Sequence, residues 1–140
     1  YMTERGHEFG TTTGRRRRCG WLDLVALKYT VRLNRTSALA MTKLDVLAGL
    51  DALRVAVRYR SREGAVLEDF PYHQSILHNA TPEYTDLPGF GEEITECRRQ
   101  RDLPREALDY IRFISDFVGV PIALVGVGPG HDQNVWISPG

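Results

Sequence analysis

The segment Ala38-Leu39-Ala40-Met41-Thr42-Lys43-Leu44-Asp45 opens as a short apolar run and closes on a lysine and a carboxylate. A run of this length, bounded by polar residues, suits a strand buried in a sheet. A second such run, Ile122 to Val125, leads into Gly126-Val127-Gly128-Pro129-Gly130. Helical periods precede both. From Trp21 to Leu33, apolar residues recur at Leu22, Val25, Ala26, Tyr29 and Leu33, with Asn34 as a stop. Pro104 opens another helix, striped by Leu108, Ile111, Ile114, Phe117 and Val118 and ended by Gly119 and Pro121. Helices alternating with short apolar strands indicate an α/β fold. Ligands of such sheets sit at the carboxyl ends of strands, which is where Thr42–Asp45 and Gly126–Gly130 fall.

Working outward, Leu53, Val55, Val57 and Tyr59 alternate with Arg54, Arg58 and Arg60, the period of a half-buried strand. Glu63-Gly64 can turn the chain and Val66 to Phe70 return it as a hairpin. Residues 71–103 carry no readable period, because Pro, Gly, His and Asn interrupt every pattern. With 140 residues, 42% hydrophobic and 26% charged, the chain is of one-domain size and globular composition. Its eighteen basic and eighteen acidic residues balance, which gives no general reason to expect nucleic acid or a membrane surface as partner. Cys19 and Cys97 are too few for a disulfide scaffold or closed metal site, and read as reduced thiols of a cytoplasmic protein. His7, His73, His78 and His131 show no ligand spacing.

Three segments carry chemistry. Thr42-Lys43-Leu44-Asp45 has the arrangement by which many GTP-binding proteins read guanine. A carboxylate accepts both the N1–H and the 2-amino donors of that base, whereas adenine would present a lone pair to Asp45. A capping aspartate after an exposed lysine would give the same four residues. Gly126-Val127-Gly128-Pro129 could bring backbone close to a flat base, or could be a plain tight turn. Thr11-Thr12-Thr13-Gly14 followed by Arg15-Arg16-Arg17-Arg18 offers hydroxyls, backbone donors and planar guanidinium forks suited to a small anion. A solvated charge run or a nucleic-acid patch is the other reading. The patch is disfavoured, because the chain is neutral and no aromatics interleave with the arginines. The sequence contains no Gly-x-x-x-x-Gly-Lys-Ser/Thr loop to hold nucleotide phosphates and no acidic cluster suited to Mg²⁺.

Taken together, these segments resemble the adenylosuccinate synthetases. Phe9-Gly10-Thr11-Thr12-Thr13-Gly14-Arg15-Arg16-Arg17-Arg18-Cys19-Gly20-Trp21-Leu22-Asp23 resembles that family's substrate loop and following helix. Leu39 to Leu47 resembles its guanine-reading segment, Tyr84 to Gly89 its Tyr-x-x-x-Pro-Gly stretch, and Gly119 to Pro129 its last strand and guanine loop. The resemblance runs from about Arg5 to Asn134. It implies the carboxyl-terminal part of a P-loop-NTPase-like α/β fold, with residues 1–140 a fragment of a longer ligase. It implies the reaction of IMP, L-aspartate and GTP to adenylosuccinate, GDP and phosphate, with Mg²⁺ present, in a cytoplasmic homodimer of purine biosynthesis.

Carried over by position, loop 9–20 would close on aspartate through Thr11, Thr12, Thr13, Gly14, Arg15, Arg16 and Arg17. Arg15 would also touch IMP and Arg17 would reach GTP. Lys43, Leu44 and Asp45 would hold guanine, with Gly126, Val127 and Gly128 of segment 126–129 on its other side. Two departures stand out: the family usually has Ser at Gly126 and Arg at His131. The phosphate loop, the catalytic Asp and His and the Mg²⁺ ligands are expected upstream of residue 1, so the fragment alone is expected to be inactive. Loss of central strands would expose apolar faces and strand edges, and the fragment is expected to be marginal or self-associating. A non-catalytic guanine-nucleotide binding or association module is the alternative.

Overall fold

The computed structural model describes residues 1–91 and 93–138. Its longest strand, β3 (Ala52–Arg60), organises one sheet. β5 (Thr81–Pro88) runs antiparallel along one whole edge of β3, while β1 (Leu22–Asp23, parallel) and β4 (Val66–Leu67, antiparallel) share the other. The alternation of Leu53, Val55 and Tyr59 against Arg54, Arg58 and Arg60 is realised: the first three are buried and the arginines exposed. Val57 is only half-buried, because the β3–β5 register shifts between Ala56 and Arg58 and inserts one residue there.

A second sheet has β6 (Ile122–Gly126) at its centre, parallel to β2 (Leu39–Met41) and antiparallel to β7 (Asn134–Trp136). The described strands thus form two sheets, and the two loop-bearing strands share one of them. The placement that mattered survives, since β2 and β6 are parallel neighbours whose loops leave from the same end. β2 is shorter than the run 38–42 and only half-buried, because it lies at an edge.

Helix α2 spans Leu24–Leu33 rather than starting at Trp21, because Asp23 caps it: its Oδ1 accepts from Ala26 N at 3.0 Å. Its buried residues are Leu24, Val25 and Val31, and Leu33 points to solvent. Tyr29 stacks on Phe70 at 5.0 Å between ring centroids, so the residues after β4 cover a second side of the helix. Helix α4 (Arg105–Val118) buries Ala107, Tyr110, Ile111, Ile114 and Val118, a stripe at the spacing that Pro104 and Gly119 bracket. It packs on α2 and reaches both β5 and β6, so one core joins the sheets through Leu24, Leu53, Val55, Ile114, Val125 and Val135. Two short helices, α1 (Met2–Arg5) and α3 (Gln74–His78), complete the fold.

The unreadable stretch 71–103 holds α3, β5 and four buried side chains among its described residues, Phe90, Ile94, Cys97 and Leu103. At its centre Gly89 admits no substitute. A methyl group there would lie 1.7 Å from Leu50 O, and Gly89 N donates to Asp51 O at 3.0 Å. The final glycine of Tyr84-Thr85-Asp86-Leu87-Pro88-Gly89 thus has a packing cause.

Candidate functional site

Beyond β2 the chain turns at Lys43, whose backbone is left-handed (φ 61°, ψ 34°), into a 3₁₀ turn at Leu44–Leu47. Leu44 and Val46 are buried, so Leu44 can offer a ligand only its main chain. The Asp45 carbonyl accepts from Arg5 Nε at 3.1 Å and from Ala48 N at 3.2 Å. Its carboxylate does something different. Oδ1 is buried and has no hydrogen-bond partner among the described residues. The capping-aspartate alternative is therefore not what the fold shows. Leaving a buried acceptor unmatched costs on the order of 1–3 kcal/mol, so the position is one that a donor-bearing ligand would relieve.

The neighbouring strand brings Gly126 to the same place: a methyl group on it would stand 3.5 Å from Thr42 Cα and 3.7 Å from Lys43 N. Val127, like Leu44, is fully buried. The rest of the glycine loop is filled from within by Gln133. Its Oε1 accepts from Gly130 N at 2.8 Å, its Nε2 donates to Thr95 O at 3.2 Å, and its backbone carbonyl accepts from Val127 N at 2.9 Å. His131 is exposed and its carbonyl accepts from Asn134 Nδ2 at 2.7 Å.

Loop 9–20 is a closed lasso. Phe9 bridges Arg16, Gly10 N donates to Arg15 O at 2.7 Å, and Gly14 N donates to Gly10 O at 2.8 Å. Thr11, Thr12, Thr13 and Gly14 form its exposed tip, with Thr13 Oγ1 accepting from Arg15 N at 3.3 Å. Arg16 pairs with Glu4 at 3.3 Å and Arg17 with Glu8 at 3.2 Å, whereas Arg15 and Arg18 have no ion pair among the described residues. An open cleft of about 400 Å³ lies between the base of this loop and β2, walled by Glu8, Arg17, Trp21, Met41, Lys43 and Tyr110. Burial raises the Tyr110 phenol to about 12, so it stays neutral there.

The expected residues thus converge in part. Lys43 and Arg17 meet across the cleft, and Gly126 meets Thr42 and Lys43, while the threonine tip makes its bonds within its own loop. Sequence reading missed Arg5, Glu8, Tyr110 and Gln133. Arg5 donates through Nη2 to both carboxylate oxygens of Glu93 at 2.6 and 2.7 Å, and that carboxylate raises its pKa above the ordinary arginine value. Arg5, Glu8 and Gln133 acquire their places from partners far along the chain, and Tyr110 from the buried stripe of α4. Among the described residues, no three His, Cys, Asp or Glu side chains gather as a metal site.

A family model described as adenylosuccinate synthetase matches residues 1–135. The adenylosuccinate synthetase of Trichodesmium erythraeum is 48% identical over 137 residues, covering 98% of this chain and 31% of the relative. That of Acidothermus cellulolyticus is 45% identical over 133 residues, covering 95% and 31%. Among solved structures, a fully ligated adenylosuccinate synthetase from Plasmodium falciparum superposes with a TM-score of 0.93 at 37% identity, over 99% of this chain and 33% of that one. The chain spans about a third of the length of the relatives it matches. With a family model over nearly all its residues and a fold shared to that degree, the chain belongs to the adenylosuccinate synthetase family.

Proposed function

We propose that this chain is the carboxyl-terminal, guanine-reading and aspartate-capturing third of a GTP-dependent ligase that converts IMP, L-aspartate and GTP to adenylosuccinate, GDP and phosphate. The observation that carries the reading is the buried, unpartnered Oδ1 of Asp45 at the carboxyl end of β2, beside the Gly126 loop. Guanine supplies two adjacent donors that such a carboxylate accepts together, and adenine does not. Lys43 would lay its stem along the base, while Leu44, Val127 and Gly128 would line the pocket with main chain.

Arg15 and the threonine tip, which face solvent, would receive the aspartate carboxylates and hold its amine towards C6 of IMP. Such positioning is the part of catalysis that a loop of guanidiniums can supply. Arg17, at the cleft, would reach towards GTP. The phosphate loop, the acid–base pair and the Mg²⁺ ligands belong, on this reading, to the part of the family that this chain does not span. The chain alone would therefore be inactive, the parent a cytoplasmic homodimer of purine biosynthesis. No helix of the described residues is long and apolar enough to cross a membrane.

Calorimetric titration with GDP and ADP tests the base reading. GDP should bind the chain and ADP should not. Asp45→Asn should weaken GDP binding about 10- to 100-fold, the range for losing a hydrogen bond to a charged group. Equal binding of both nucleotides, or unchanged affinity in Asp45→Asn, would remove Asp45 from the site. Adenylosuccinate formation that appears only when the remaining two-thirds of a relative is added back would separate a ligase part from a stand-alone binding module.

A further inference from the structure

Three polar groups from distant parts of the sequence meet at the mouth of the cleft. Lys43 Nζ donates to Gly6 O at 2.8 Å and to Glu8 Oε1, while Glu8 Oε2 accepts from Arg17 Nη1 at 3.2 Å. One carboxylate therefore joins the arginine loop to the lysine of the 42–45 segment. Glu8 is itself fixed at both backbone ends, since its N donates to Thr3 O at 2.9 Å and its carbonyl accepts from Arg17 N at 2.8 Å. Its side chain is 21% exposed, against 50% for Lys43 and 58% for Arg17, so the acid is the sheltered member of the three.

The backbone is bent to make this meeting. Three non-glycine residues among those described have positive φ, and two flank the contact: Lys43 (61°) and His7 (49°), the residue before Glu8. A left-handed non-glycine residue costs on the order of 1–2 kcal/mol, and such conformations persist where surrounding contacts hold them. At His7 the turn is closed by Phe9 N donating to His7 O at 2.9 Å, which throws Glu8 inwards. At Lys43 the side chain is committed to Gly6 and Glu8, which sets the path of its stem along the cleft.

We propose that Glu8 is a positioning residue: it clasps the arginine loop 9–20 to Lys43, so that the loop and the base-side segment are held as one unit. That Lys43 serves a nucleotide rests on the function proposed above; the clasp itself does not. The chain has two lysines, Lys28 and Lys43, which makes the test direct. Lysine ammonium protons give a resolved ¹H–¹⁵N signal only when a clasp slows their exchange with water. In the full chain at low temperature, the Lys43 ammonium signal should be present and should vanish in Glu8→Gln, with an unchanged melting curve as the control for folding; Lys28, which has no such clasp, should give no competing signal.

Arg17→Ala, on the exposed loop, should shift the Lys43 signal while keeping it, because Glu8 loses one of its two cations. A Lys43 signal unmoved in both variants would overturn the clasp. Should Glu8→Gln fail to fold, the Arg17→Ala shift decides alone. GDP titration then reads the consequence. Glu8→Gln should weaken binding about 2- to 5-fold, the scale of a partly exposed ion pair that orients a ligand group. Glu8→Asp, one methylene too short to reach both cations, should not restore it. A wild-type chain that binds no GDP would sink the nucleotide reading, and the Lys43 signal would still judge the clasp.

Discussion

Gly128 shows at the scale of one residue how a glycine can be chosen by its own chain. A methyl group added there would lie 2.5–2.6 Å from the Gln133 amide, with no room to give because that amide bridges Gly130 N and Thr95 O. Gly128→Ala must expel the amide and strand those partners, at a cost on the order of 1–3 kcal/mol. The melting temperature should fall in Gly128→Ala and in Gln133→Ala. The double variant should lose less than the sum, because removing the amide removes the clash. Additive losses would mean that the two residues do not press on one another. In sequence the glycines read as a surface for a flat base; in the fold Gly126 lies against the backbone of Thr42 and Lys43. The contact of Gly128 and Gly130 with Gln133 was not legible there, because Gln133 reaches them by a fold-back that no spacing records.

At the scale of elements, legibility followed burial. α4 and β6 carry continuous apolar stripes into the core and were readable as such. β5 was not, although it pairs with β3 for its whole length. Pro82 and Pro88 bound it, none of its residues is fully buried, and its acidic residues face the arginines of β3. Glu83 accepts from Arg58 Nε at 2.5 Å and from Arg60 Nε at 2.6 Å, and Arg54 pairs with Asp86 at 3.0 Å. A strand held by cross-strand charge shows its period only once its partner is known.

The same pairing sets a pH dependence. Arg58 and Arg60 hold the Glu83 carboxyl below its ordinary 4.5. A carboxyl depressed in the folded state contributes its full stabilisation above the unfolded value and loses it as pH falls through the folded one. Glu8, lowered by Lys43 and Arg17, and Asp102, lowered by the backbone N–H groups of Arg98 and Arg99, act in the same direction. The melting temperature should therefore be level between pH 7 and 5, on the scale of these carboxylates, and drop only below about 4.5. Glu83→Gln should lower the level part and make the drop shallower; an acid limb unchanged by that substitution would show that the Glu83 pairs contribute nothing.

For the whole molecule, the two sheets share a core but leave edges open. β2 pairs only with β6, and β1 only with β3, among the described residues, and the cleft lies between those two strands. Trp136 on the outermost strand of the second sheet is 73% exposed, and Leu33 at the end of α2 is 69% exposed. Unpaired edge groups beside apolar surface favour pairing with another chain. The chain spans a third of its relatives' length, so surfaces of this kind need not be final ones in the proteins that carry the rest. In isolation the chain should self-associate as its concentration rises from about 10 μM to about 1 mM, a range in which exposed edges commonly meet. Sedimentation velocity would show the shift. Ala40 is exposed on β2, and a lysine there should suppress association, since a charge on an edge strand blocks edge-to-edge pairing. A chain that stays monomeric across the range would mean that three residues of free edge are too few to template a partner. Association unmoved by Ala40→Lys would instead place the contact elsewhere, with the apolar surface around Trp136 as the next face to alter.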